Sequence, residues 1–132
     1  MITQEVDTWS QSACVTSSTT SRRRFSYTER LGFDVDLHPG PGFASLVRGD
    51  LRLLLNAPSG PGGAAQPMPD GRVPGSGGWN RIQLEVEDLA SEVQELRNAG
   101  ARFRNEIVGG RGGKQILLDD PSGNPIELFQ PG

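Results

Sequence analysis

The stretch from Ala57 to Gly78 consists almost wholly of Gly, Pro, Ala, Ser and a few polar residues, and it divides the chain into two parts that read alike. A run so polar and so often interrupted does not form a regular element. It is either a flexible linker or a long surface loop over a pocket, in which Met68 and Val73 are the side chains able to cover an apolar ligand.

After this stretch, Trp79 to Val86 reads as a strand. Asp88 is placed to cap a helix, because its carboxylate can accept from the first free amides. Leu89, Val93 and Leu96 then recur at helical spacing, and Gly100 ends the helix. Ala101 to Ile107 is a strand, Val108 to Gly113 a loop, Lys114 to Asp119 a strand, Asp120 to Asn124 a turn and Pro125 to Gln130 the last strand. Before the stretch, Phe25 to Phe33 reads as a short helix stopped by Gly32. Phe33, Val35 and Leu37 alternate with Asp34 and Asp36, the pattern of a half-buried strand. His38 to Gly42 is a turn cluster, and Phe43 to Arg48, Gly49-Asp50 and Leu51 to Leu55 make a hairpin.

The second part is therefore strand, helix, strand, strand, strand. The first part is the same with its opening strand missing, and that strand has to come from residues 3–16, where Val6, Trp9 and Ala13-Cys14-Val15 carry the apolar side chains. The chain reads as two copies of a unit of about 50 residues. Each copy would have a curved sheet with one face on its helix and the other lining a central cleft. The expected class is α+β, one domain over 1–132: a first module at 1–56 (atypical over 1–25), the linker or lid at 57–78, and a second module at 79–132. In the atypical part, Thr16 to Ser21 is a polar tract and Arg22-Arg23-Arg24 reads as a solvated turn or the exposed start of a helix.

Charge and length exclude some functions. The chain has 132 residues and a formal charge of −3 with both signs mixed along it, which argues against a general grip on nucleic acid. No apolar run approaches the roughly 20 residues needed to cross a bilayer. Met1-Ile2-Thr3-Gln4-Glu5 lacks a basic-then-apolar leader pattern, and the single Cys14 cannot form an internal disulfide, so a cytoplasmic location is expected. Cys14 reads as a small half-buried side chain and His38 as a surface residue. Gly109 to Gly113 lacks the Lys-Ser/Thr ending of a phosphate loop, and Ser122 has no histidine near it in sequence.

Several segments resemble the vicinal oxygen chelate superfamily, which holds glyoxalases, bleomycin resistance proteins and dioxygenase-like enzymes. Tyr27-Thr28-Glu29-Arg30-Leu31-Gly32-Phe33 is similar to its helix exit "FYxxxLGF", and Ile82 to Leu89 to the first strand of its second module. Asn98-Ala99-Gly100-Ala101 is similar to its second helix exit, and Asp120-Pro121-Ser122-Gly123-Asn124-Pro125-Ile126-Glu127-Leu128 to its "DPxGNxxEL" ending. The resemblance covers 25–132. Residues 3–25 depart from it, since a regular strand and an acidic helix start belong there. A shared fold does not settle the chemistry, because the superfamily includes lyases, epimerases, dioxygenases, thiol transferases and metal-free binding proteins.

Facing narrows the choice. Ile126 and Leu128 belong on the helix side of the last strand, which turns Glu127 to the cleft. Ile82, Leu84 and Val86 do the same for Arg81, Gln83 and Glu85. By the resemblance, Glu127 matches a metal-binding carboxylate, whereas Arg81 stands where the enzymes carry His. A guanidinium has no lone pair to give a metal. Leu54 is the first-half counterpart of Glu127 when the strands are matched through Pro58 and Pro131, and the fourth position falls near Gln4 or Glu5. A divalent metal, if it binds, would rest on Glu127. Arg81 and Glu127 can instead form an ion pair that replaces the metal and stabilises the fold, or Arg81 can take an anionic or carbonyl oxygen of a ligand. Gln83, Glu85, Gln115, Arg52 and Asn56 are candidate polar contacts, and Trp79 either packs or stacks on a flat ligand.

The expected function is a glyoxalase/bleomycin-resistance-like protein that binds a small anionic or aromatic molecule in its cleft without a conventional metal. The alternative is a divalent-metal-dependent lyase, isomerase or dioxygenase-like enzyme, and a third reading is a degenerate member that serves in assembly alone. A homodimer is expected, because short strands leave exposed edges. Neither nucleic acid nor membrane is an expected partner.

Overall fold

Two sheets, one in each half of the chain, bury the alternating apolar residues of that half. The computed structural model describes residues 11–16, 27–58, 60, 61 and 63–132 and falls into two units, Met1–Ser76 and Gly77–Gly132.

The first sheet contains β1 (Gln11–Thr16), β2 (Asp34–Gly40), β3 (Phe43–Arg48) and β4 (Leu51–Asn56) in the order β1-β4-β3-β2. A helix, α1, described over 27–30, lies between β1 and β2 in the chain. β1 runs parallel to β4, and the remaining pairs are antiparallel. The cross-strand pairs Leu46–Leu53 and Ala44–Leu55 are completely buried, so this face is core. Tyr27 and Phe33 are also buried and meet edge to face with ring centres 5.5 Å apart. Gly32, at φ 77°, lets the chain leave α1 while the Leu31 and Phe33 amides both donate to the Tyr27 carbonyl.

Two expectations change in this unit. β2 continues to Gly40, so His38-Pro39-Gly40 is strand and the turn shrinks to Pro41-Gly42. β2 is an edge strand whose register shifts on either side of Leu37, and an edge tolerates the missing amide of Pro39. The stretch after β4 also carries more structure than its composition suggests. The Ala57 amide donates to the Gly42 carbonyl, Gly63–Ala65 is a 3-10 turn with Ala65 buried, and Gln66 Nε2 donates to the Gly60 carbonyl at 2.7 Å. Met68 and Arg72 close a turn through the Met68 amide and the Arg72 carbonyl at 2.7 Å, and the Asp70 carboxylate ties down the Arg72 guanidinium. Met68 and Val73 are both exposed.

The second sheet contains β5 (Ile82–Glu85), β6 (Arg102–Phe103), β7 (Val108–Gly109), β8 (Gly113–Asp119) and β9 (Pro125–Pro131) in the order β5-β9-β8-β6, with β7 also on β8. β5 runs parallel to β9, as β1 does to β4, and the next two strands follow in the same order in both sheets. The βαβββ repeat read from the sequence is therefore present in both halves, and the class is α+β.

Helix α2 (Leu89–Asn98) buries Leu89, Val93 and Leu96. Asp88 caps it by accepting from the Ser91 amide, and Gln130 Oε1 accepts from the Leu89 amide at 2.8 Å. At the other end Gly100 takes φ 88°, with its amide on the Arg97 carbonyl and the Ala101 amide on the Leu96 carbonyl. These are the two bonds of a Schellman stop. Leu84, Ile116, Leu118, Ile126 and Leu128 are buried on the helix side of the sheet.

The expected strand over 79–86 shortens to Ile82–Glu85, because Gly77 and Gly78 both take positive φ and bend the approach. The expected strand over 101–107 shrinks to β6, and part of the expected loop at 108–113 pairs as β7. Asn105 explains the interruption: its side-chain oxygen takes the Leu117 amide at 2.9 Å in place of a main-chain partner.

Candidate functional site

Register places the candidate residues on one face of the second sheet. Glu127 on β9 stands opposite Gln83 on β5 and Leu117 on β8, in the row between Ile126 and Leu128, which point to the helix side. Its side chain therefore emerges on the face away from α2, as expected. Glu127 is only 5% exposed, and both of its carboxylate oxygens are engaged. Arg81 donates from Nε at 2.9 Å and from Nη2 at 2.8 Å, both to Oε1, while Gln83 Nε2 donates to Oε2 at 2.6 Å. The ion pair anticipated from facing is thus formed, with Gln83 as its third member.

The geometry divides the guanidinium into two edges. The Nε side of its planar fork is spent on Glu127, and the Nη1 side is directed away from the carboxylate. The Arg81 side chain remains 33% exposed, against 6% for Glu127. A nearly buried carboxylate is thus neutralised by a cation whose side chain is one-third exposed. A guanidinium with one edge free of the carboxylate can take an oxyanion or a carbonyl oxygen by charge-assisted hydrogen bonds.

The other candidates fall into three groups. Glu85 and Gln115 lie on the same face one row along, on either side of Phe129. Trp79 is 70% exposed and stacks under the Arg104 guanidinium, 4.9 Å from the ring centre. Arg52 and Asn56 belong to β4 in the first unit, opposite Val47 and Phe43, with Asn56 buried. Within the second unit the structure directly joins Arg81, Gln83 and Glu127.

The sequence did not single out Arg104, which pairs with Asp119 and donates to the Gly78 and Gly123 carbonyls. No spacing marks it, because it lies just past the two residues of β6. The Asp120–Asn124 turn was expected from its residues, and the structure supplies its reason. Asp120 Oδ1 accepts from the Ser122 and Asn124 amides, Oδ2 accepts from Asn124 Nδ2, and Asn124 Oδ1 takes the Gly77 amide at 2.7 Å. Asp120 and Asn124 are both buried, and the turn they close leads directly into β9, the strand that carries Glu127.

The metal that the superfamily implies can be tested against these residues. Leu54 lies between the buried Leu53 and Leu55 on β4, as Glu127 lies between the buried Ile126 and Leu128 on β9, and a leucine offers no metal ligand. Gln4 and Glu5, the residues expected near the fourth position, lie outside the described residues. Among the described residues no group of three or more His, Cys, Asp or Glu side chains converges. A carboxylate whose two oxygens are engaged by Arg81 and Gln83 does not fit a tightly held divalent ion.

A surface cavity of about 460 Å³ lies elsewhere in the second unit, lined by Arg97, Ala101, Phe103, Arg104, Asn105 and Glu106. It contains none of the expected site residues. Its polar side chains are already engaged, Arg97 with Glu106, Arg104 with Asp119 and Asn105 with the Leu117 amide, so it reads as a solvated groove.

Comparison with known proteins agrees with this architecture. No curated protein matches the sequence significantly. Among solved structures, the antibiotic binding protein TnmS3 of a Streptomyces species superposes with a TM-score of 0.70 at 24% identity, covering 98% of this chain and 100% of its own. A glyoxalase/bleomycin resistance protein/dioxygenase superfamily member from Sphaerobacter thermophilus gives 0.72 at 24% identity, covering 91% and 94%. A lactoylglutathione lyase from Agrobacterium tumefaciens gives 0.72 at 14% identity, covering 91% of each chain. At these identities the likeness is one of fold. The family model described as a glyoxalase-like domain matches residues 14–129, nearly the whole chain. With that match and the repeated βαβββ unit, the chain belongs to the glyoxalase-like domain family, within the vicinal oxygen chelate superfamily.

Proposed function

We propose that this chain is a small-molecule-binding protein of the glyoxalase/bleomycin-resistance type, which holds an anionic or aromatic ligand through Arg81 without a conventional metal. The observation that carries the reading is the guanidinium itself: its Nε and Nη2 atoms neutralise the buried Glu127 while 33% of the Arg81 side chain stays exposed. In a metal-dependent relative a divalent ion would supply positive charge to the ligand's oxygens. Here Arg81 supplies that charge, and Gln83 holds the carboxylate that orients it. The antibiotic-binding neighbour supports sequestration as one form of this function.

The test is calorimetric titration of the metal-stripped protein with small carboxylates, alongside metal analysis of the protein as purified. Binding is expected to persist in chelator and to weaken about 10- to 100-fold on Arg81→Ala, the effect of losing a charge-assisted hydrogen bond. Stoichiometric metal that is lost on Glu127→Ala would replace this reading with the metal-dependent lyase, isomerase or dioxygenase-like enzyme.

A homodimer and a cytoplasmic location are part of the proposal. The edge strand β2 exposes Val35 and Leu37, surface that a second chain can cover, and the lone Cys14 suits a reducing compartment. Among the described residues no helix is long and apolar enough to cross a membrane.

A further inference from the structure

We infer that Arg104 is a positioning residue that holds Trp79 as a fixed stacking platform beside Arg81, so that the site selects flat, π-faced anions over saturated ones. The inference rests on the Arg81 reading above and names the ligand class within it.

An indole that is 70% exposed would ordinarily move freely. This one has a guanidinium over its ring at 4.9 Å, and that guanidinium is itself tied at three points: the Asp119 carboxylate, the Gly123 carbonyl at 3.2 Å and the Gly78 carbonyl at 3.4 Å. The Gly78 tie fastens the residue immediately before Trp79, so Arg104 fixes both the ring and the backbone that carries it. Asp119 also neutralises Arg104, which keeps it from competing with Arg81 for an anion. On β8, Asp119 shares a face with Leu117, the residue opposite Glu127, so the anchored stack belongs to the same face of the sheet as the Arg81–Gln83–Glu127 cluster. Trp79 is two residues before Arg81, within about 7 Å along the backbone. The guanidinium covers one side of the indole and leaves the other to a planar ring, whose acidic oxygen can reach the outer edge of Arg81.

The experiment compares benzoate with cyclohexanecarboxylate, which has the same charge and ring size and no π face, by calorimetry on the full chain. The expected result is a preference for benzoate of about five- to tenfold, the size of one aromatic contact. Trp79→Ala should abolish the preference, Trp79→Phe should keep part of it, and Arg104→Met should reduce it. In each variant benzoate should lose more affinity than cyclohexanecarboxylate, and the ratio of the two affinities is the readout. Because Arg104→Met removes three anchors and can unfold the protein, time-resolved fluorescence anisotropy of Trp79 in a Trp9→Phe background gives an independent reading. A rigid indole supports the positioning role, and fast nanosecond motion of the free ring overturns it. Equal affinity for the two probes, or a preference that survives Trp79→Ala, overturns the inference while leaving the Arg81 reading intact. If neither probe binds the unmodified protein, both readings fall together.

Discussion

At the scale of single residues, the Arg81–Glu127 pair acts through its two unequal environments. Removing the guanidinium alone leaves a carboxylate that is 5% exposed with Gln83 as its remaining neighbour. Arg81→Met is therefore expected to destabilise the fold by about 1–3 kcal/mol, less than for a fully buried pair because Arg81 keeps contact with water. Arg81→Met combined with Glu127→Leu should regain most of that loss in denaturant unfolding, since the buried charge has then gone too. A single Arg81→Met variant as stable as the parent would show that the pair contributes no stability. Asp120 offers a second case. Its carboxylate satisfies the Ser122 and Asn124 amides and the Asn124 side chain, and Asp120→Ala would strand these donors. The expected cost is about 2–4 kcal/mol, read as a lower thermal midpoint.

At the scale of elements, the hairpin from β7 to β8 separates two glycines that look alike in the sequence. A side chain on Gly113 would collide with the Gln130 carbonyl oxygen, and this residue begins the pairing of β8 with β9. Gly109 has open space where its side chain would go. Gly113→Ala is expected to cost about 2 kcal/mol or more, because backbone has to move, while Gly109→Ala should stay within about 0.5 kcal/mol. Parallel chemical denaturation of the two variants checks the difference, and equal midpoints would contradict the close approach. The strand carrying Glu127 is thus held at its start by the Asp120–Asn124 turn and near its end by the Gly113 contact.

At the scale of the whole molecule, the two halves repeat one topology with different chemistry. Between two buried core residues, β9 carries Glu127 where β4 carries Leu54. Each unit keeps its own apolar core. The exposed Val35 and Leu37 on edge strand β2 carry the expectation of a dimer. Light scattering at working concentration should give twice the chain mass of 14.2 kDa. A monomer mass would remove that part of the proposal.

The amino-acid order alone determined the repeat, the α+β class and the facing of Ile126, Glu127 and Leu128, because strand alternation and helix spacing are local properties of the backbone. The Gly100 stop and the Asp88 cap were legible for the same reason. Only the tertiary structure decided that Pro39 lies in a strand, that Asn105 interrupts the one expected after Gly100, and that Arg104 lies over Trp79. Each depends on a partner distant in the chain: an unpaired sheet edge, the Leu117 amide and the Asp119 carboxylate. Spacing along a chain fixes which way a side chain points, whereas the partner it meets depends on which strands become neighbours.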